Sequence, residues 1–161
     1  MPTTLYPGAS IARQMDMIYH GNHWHASLKD LLGAVSADEA IRRPPQGGHT
    51  IYEIVQHLAY SAEEVTERLR GREGRWDESR SWVETPTTLA EDAWRQTIEA
   101  LEQARNAFRD QALALGDEAL LDAQPGAPSK YELVQQLIHH EAFHAGQIAY
   151  LRRMHGKVAI L

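Results

Sequence analysis

From Ile11 onward, apolar positions recur through Met15, Ile18, Leu28, Leu32 and Val35 at helical spacing, with Asn22 and His25 in the same stripe. This predicts a first helix over about residues 10–35 with two polar side chains on its inner face. Breakers then cluster at Pro44-Pro45-Gln46-Gly47-Gly48, between Gly71 and Pro86, and at Pro125-Gly126-Ala127-Pro128. Between them, Thr50-Ile-Tyr-Glu53, Thr88-Leu-Ala-Glu91 and Ser129-Lys-Tyr-Glu132 each read as a capping box, in which hydroxyl and carboxylate satisfy the free N–H groups of a helix start. Helices are therefore expected over about 50–70, 88–114 and 129–155. The last carries Arg152 and Arg153 at its C-terminal dipole and Gly156 at the cap position. Strand-like alternation is sustained nowhere, so the expected fold is all-α, a four-helix bundle filling one domain over residues 1–161.

Sliding the chain against itself by 79 residues adds an internal repeat. Asp38-Glu39-Ala40 falls on Asp117-Glu118-Ala119, Gly47 on Gly126, and Thr50 to Leu58 on Ser129 to Leu137. Nine of the 21 ungapped pairs from position 38 to 58 are identical, which implies two related helix pairs about a pseudo-two-fold axis. Departures from the repeat then carry information: His57 faces Gln136, while His140 and His144 match Ser61 and Val65.

Composition narrows the chemistry. With no cysteine, the chain has no disulfide, thiolate metal ligand or catalytic thiol of its own. A formal net charge of -6 disfavours capture of nucleic acid or an anionic membrane. The N-terminal residues lack a basic and apolar leader pattern, and no run of 18 apolar residues occurs, so a cytoplasmic location is expected.

His140, Glu141 and His144 form H-E-x-x-H, the signature of zinc peptidases. Residues four apart on a helix point the same way and can share one ion. The peptidase reading fails on the third ligand: the 17 residues after His144 contain no Asp or Glu, and Gln147 and Tyr150 stand where the longer motif needs Gly and His. The third donor is expected upstream, at His57, which borders the apolar stripe Ile51, Ile54, Val55, Leu58 and Val65. Its repeat mate Gln136 lies one turn before His140, so both positions should face a common interior. Three neutral imidazoles leave a coordination position open, the arrangement of a catalytic rather than a structural site.

A lone histidine on an apolar stripe is ordinarily a hydrogen-bonded core residue. Two side by side on the stripe Leu133, Leu137, His140, His144, Ile148 and Leu151 would each need a partner and would resist charging, and a shared ion resolves both problems. His20, His23, His49 and His139 read as exposed or loop residues; His25, with Asn22, points inward to line a pocket. Glu141 lies about 100° round the helix from His140; a supporting or surface role is the first reading, with a catalytic role as general base the alternative. The four tryptophans read as core and pocket-wall aromatics.

The order of these parts, TIYEIVQHL on the second helix and HHEAFHAGQIAYLRRMHG on the last, resembles the DinB/YfiT-like metalloprotein superfamily. The resemblance covers nearly the whole chain and implies an up-down-down-up four-helix bundle whose three-histidine metal site falls on His57, His140 and His144. It also implies a contact near the site from Gln147, a helix approach at Gly146, and a homodimer. Ser61 joins Asn22, His25 and Gln147 as an expected pocket residue. Three imidazoles accept several divalent ions, with zinc or nickel expected first.

Relatives of that superfamily include enzymes that use low-molecular-weight thiols and others described as metal-dependent hydrolases. The expected function is a metal-dependent thiol S-transferase acting on a small molecule. A metal-dependent hydrolase and a non-catalytic binding module are the alternatives.

Overall fold

The computed structural model describes residues 7–21, 26–72, 76–123 and 126–157. Among the described residues eight helices follow in order: α1 (Pro7–His20), α2 (Leu28–Gly33), α3 (Ala37–Ala40), α4 (Ile51–Leu69), α5 (Glu78–Ser81), α6 (Glu91–Ala114), α7 (Gly116–Leu121) and α8 (Lys130–Met154). No strand occurs among the described residues, whose regular structure is all helical. The four long helices close a ring of contacts, α1 against α6 and α8, and α4 against α6 and α8. Ile11 and Met15 of α1, Ile54 and Val55 of α4, Phe108 of α6 and Ile148 of α8 fill the centre.

Two predicted helix starts hold. Thr50 accepts from the Glu53 N–H and Glu53 accepts from the Thr50 N–H, and Ser129 and Glu132 do the same for α8. The third does not: α6 starts at Glu91 behind Ala90, with no side-chain cap. The reason is a competing use of the carboxylate, since Glu91 Oε1 accepts from the backbone N–H of Ala37, 2.9 Å away, and so serves the start of α3.

The first predicted helix is also corrected. Instead of one element over 10–35, α1 stops at His20 and α2 restarts at Leu28 behind the N-cap Ser27. Gly21 makes the break at φ 95°, and a Cβ there would meet the Ser27 Cβ at 3.2 Å. Residues 22–25, which include Asn22 and His25, lie outside the described residues.

The 79-residue repeat is visible in three dimensions. α3 and α7 carry its Asp-Glu-Ala, and α4 and α8 follow with matching capping boxes. On the same offset, unbroken α6 corresponds to α1 and α2 together, with Ala100 where the first repeat has Gly21.

Two buried ion pairs cross the core. Arg152 of α8 meets Glu39 of α3 at 3.3 Å and also donates to the Ala34 carbonyl. Arg105 of α6 meets Glu141 of α8 at 2.6 Å, donates to the Met15 carbonyl, and lies over the Tyr19 ring, 4.1 Å from its centroid. Each ties helices distant in sequence through a charge with no water to turn to.

Candidate metal centre

His57 projects from the middle of α4, and His140 and His144 from successive turns of α8, where the interface between these helices brings them together. The Nε2 atom of His140 lies 2.9 Å from that of His57 and 3.0 Å from that of His144. One donor atom from each ring falls within 4.8 Å of the others. Nitrogens bound tetrahedrally at about 2.0–2.1 Å sit about 3.3–3.4 Å apart, so the two separations from His140 are about 0.4 Å shorter than those around a bound ion.

Hydrogen bonds on the far side of two rings fix which nitrogens point inward. His144 donates from Nδ1 to Gln147 Oε1 at 2.6 Å. His57 Nδ1 faces Ser81 Oγ at 2.8 Å and the Ser81 carbonyl at 3.3 Å; the carbonyl only accepts, so Nδ1 carries the proton. Both Nε2 atoms therefore present lone pairs to His140. A proton on His140 Nε2 satisfies one of them, while its buried Nδ1 has no hydrogen-bond partner among the described residues. A divalent ion takes up all three Nε2 lone pairs at once, so the residues fit a metal.

Burial and the neighbouring imidazole keep these rings neutral. Desolvation first, and the charge His140 would carry second, push His57 and His144 down to about 4. Desolvation also lowers His140. Neutral imidazole is the ligating form, so the protein holds the site ready above mildly acidic pH.

An aromatic stack braces the cluster from outside. The Trp82 indole lies between the imidazoles of His57 and His49, with centroids 3.9 Å and 3.7 Å away and interplanar angles of 7° and 13°. His49 is fixed in turn through Nδ1 to Glu53 Oε2 at 3.0 Å. Burial would raise Glu53, but hydrogen bonds from Thr85, Arg43 and His49 prevail and hold it down at about 2. Trp76 meets the edge of His57 with centroids 5.9 Å apart.

Several expectations change in detail. Gln147 does contact a histidine of the cluster. Ser61 is buried but donates to the His57 carbonyl at 2.7 Å, so it supports the α4 backbone and lines a cleft beside His140. Gln136, expected inside, is exposed at the edge of that cleft. Glu141 is not at the cluster: its carboxylate is buried against Arg105, with burial pushing its pKa up and Arg105 pulling it back. The general-base alternative fails on this geometry, because that carboxylate already neutralises a buried cation. His49, read as a loop residue, proves to brace the stack. Trp82, read as a core or pocket-wall aromatic, walls the cluster, whereas Ser81 has no signal in the sequence, because no spacing rule ties a hydroxyl at the end of a short helix to a histidine 24 residues away.

The fold and the cluster together define an all-helical protein with a three-histidine group suited to a divalent ion. The chain matches the DinB superfamily over residues 22–148 and belongs to that family. No curated protein and no solved structure matches it.

Proposed function

We propose that this protein is a metal-dependent S-transferase that joins a low-molecular-weight thiol to a small electrophile. The reading is carried by the convergence of three neutral Nε2 lone pairs beside an open cleft, in a chain with no cysteine and with Glu141 committed to Arg105. Bound zinc or nickel would supply Lewis acidity that lowers the pKa of a thiol reaching its open position, so the nucleophile exists at neutral pH without a protein base. His57, His140 and His144 hold the ion, Ser81 and Gln147 orient two of the rings, and Trp82 and Trp76 shield the cluster from water. The competing hydrolase needs a base to take a proton from water, and the acidic candidate in the motif is occupied elsewhere. The up-down-down-up course and the homodimer belong to this reading through the family resemblance alone, and a cytoplasmic location is proposed with them.

Metal content of tag-free protein, measured by mass spectrometry beside His57→Ala, His140→Ala and His144→Ala, tests the site. About one equivalent of one ion, lost in each variant, supports it. A thiol-consuming reaction by the loaded protein then supports the transferase. Thiol-independent ester or amide turnover would replace it with the hydrolase, and binding without turnover with a non-catalytic module.

A further inference from the structure

The cleft beside His140 is lined by Ser61, Val65, Arg68, Trp76, Leu133 and Gln136, among others, and encloses about 220 Å³. Its walls are mainly apolar, and it contains one cationic side chain. Arg43, Arg70, Arg95, Arg105, Arg109 and Arg152 all sit in ion pairs. The Arg68 side chain has neither an ion pair nor a hydrogen bond among the described residues, and its Nε is buried and unbonded. Even Glu64, one turn earlier on α4, makes no salt bridge with it, although its own Oε2 is buried and unbonded too.

Leaving a guanidinium N–H buried and unsatisfied is costly. A protein of net charge -6 has ample carboxylates to pair with it. Guanidinium is a planar fork suited to carboxylate or phosphate, and both bind more strongly in a cleft than in open water.

Resting on the thiol-transferase reading, we propose that Arg68 is a specificity-determining residue that binds a carboxylate of the thiol co-substrate. Arg68 lies 11 residues after His57 on α4, about 16 Å along the axis at about 1.5 Å per residue. Its side chain leans back towards the helix start and shortens that distance. The ligand is therefore extended, with sulfur at the histidine end, a carboxylate at Arg68, and an apolar or amide spacer along Val65 and Leu133.

Cobalt(II)-loaded protein, titrated with mercaptooctanoic acid and mercaptooctanol, gives a dissociation constant for each from the near-ultraviolet sulfur-to-cobalt absorption. The acid is expected to bind about tenfold more tightly than the alcohol. Arg68→Met should abolish that preference and leave the alcohol unchanged, and Arg68→Lys should retain part of it. Equal affinities in the wild type, or a preference that survives Arg68→Met, would overturn the proposal. If neither thiol produces the absorption, the thiol reading itself falls. Calorimetric titration with octanoate then decides the anion site separately: binding that Arg68→Met removes upholds it, and no such binding overturns it.

Discussion

The Trp82 indole lies flat against the His57 imidazole, 3.9 Å between centroids, while Ser81 holds the same ring by its Nδ1. Adjacent residues at the C-terminal end of α5 thus fix the tilt and the tautomer of the one cluster histidine that α8 does not supply. Ser81→Ala should lower metal affinity about tenfold while preserving one equivalent at saturation, because groups that orient a ligating histidine contribute about 10–100-fold. Competition with a chelator of known affinity measures this. Unchanged affinity would show that the Ser81 contact does not orient the ligand.

Gln147→Leu removes the acceptor for His144 Nδ1 and should have a similar effect, about tenfold. Combined with Ser81→Ala, the losses should multiply, since the two act on different rings. A double variant no worse than either single one would mean that a single ring limits affinity.

The metal-free protein should lose stability as pH falls. His57 and His144 are held near 4 in the fold against 6.5 ordinarily, so between those values the unfolded chain binds protons that the folded chain does not. Stability is fully present above 6.5 and declines towards 4; thermal unfolding of apo protein across that range should show the decline, reduced in His57→Ala. A flat profile would contradict buried neutral imidazoles.

Glu141→Ala strands the Arg105 guanidinium in the core and should cost about 3–5 kcal/mol, the usual penalty for breaking a buried pair. Metal stoichiometry in whatever protein remains folded should be unchanged. Lost metal with intact stability would return Glu141 to the site.

At Gly21, alanine would have to adopt φ 95° and bring its Cβ to 3.2 Å from that of Ser27. Gly21→Ala should therefore destabilise by about 1–3 kcal/mol, read as a lower urea midpoint. No change would mean that the α1–α2 break relaxes freely.

Local rules succeeded where the physics is local. The capping boxes at Thr50 and Ser129 need only residues three apart, and the His140–His144 pair needs only helical period. His57 was reachable because the repeat showed what the scaffold would otherwise place there. The rule failed at Thr88 because a backbone N–H 54 residues away at Ala37 claims the Glu91 carboxylate. It failed again at Glu141, whose partner Arg105 belongs to another helix 36 residues earlier. The apolar period runs through Gly21 without interruption, and one glycine costs a helix only about 1 kcal/mol; with Ser27 placed to cap a new start, the break prevails.

His57 belongs to the first repeat, whereas His140 and His144 belong to the second. Neither half has the full donor set, so an ion held by all three is a clasp between two structural units. Its binding energy is also cohesion between them: at a hundred times its dissociation constant, it would add about 2.7 kcal/mol against their separation. The halves would then open most readily in a metal-starved environment, and the protein's lifetime against proteolysis would track the supply of the ion.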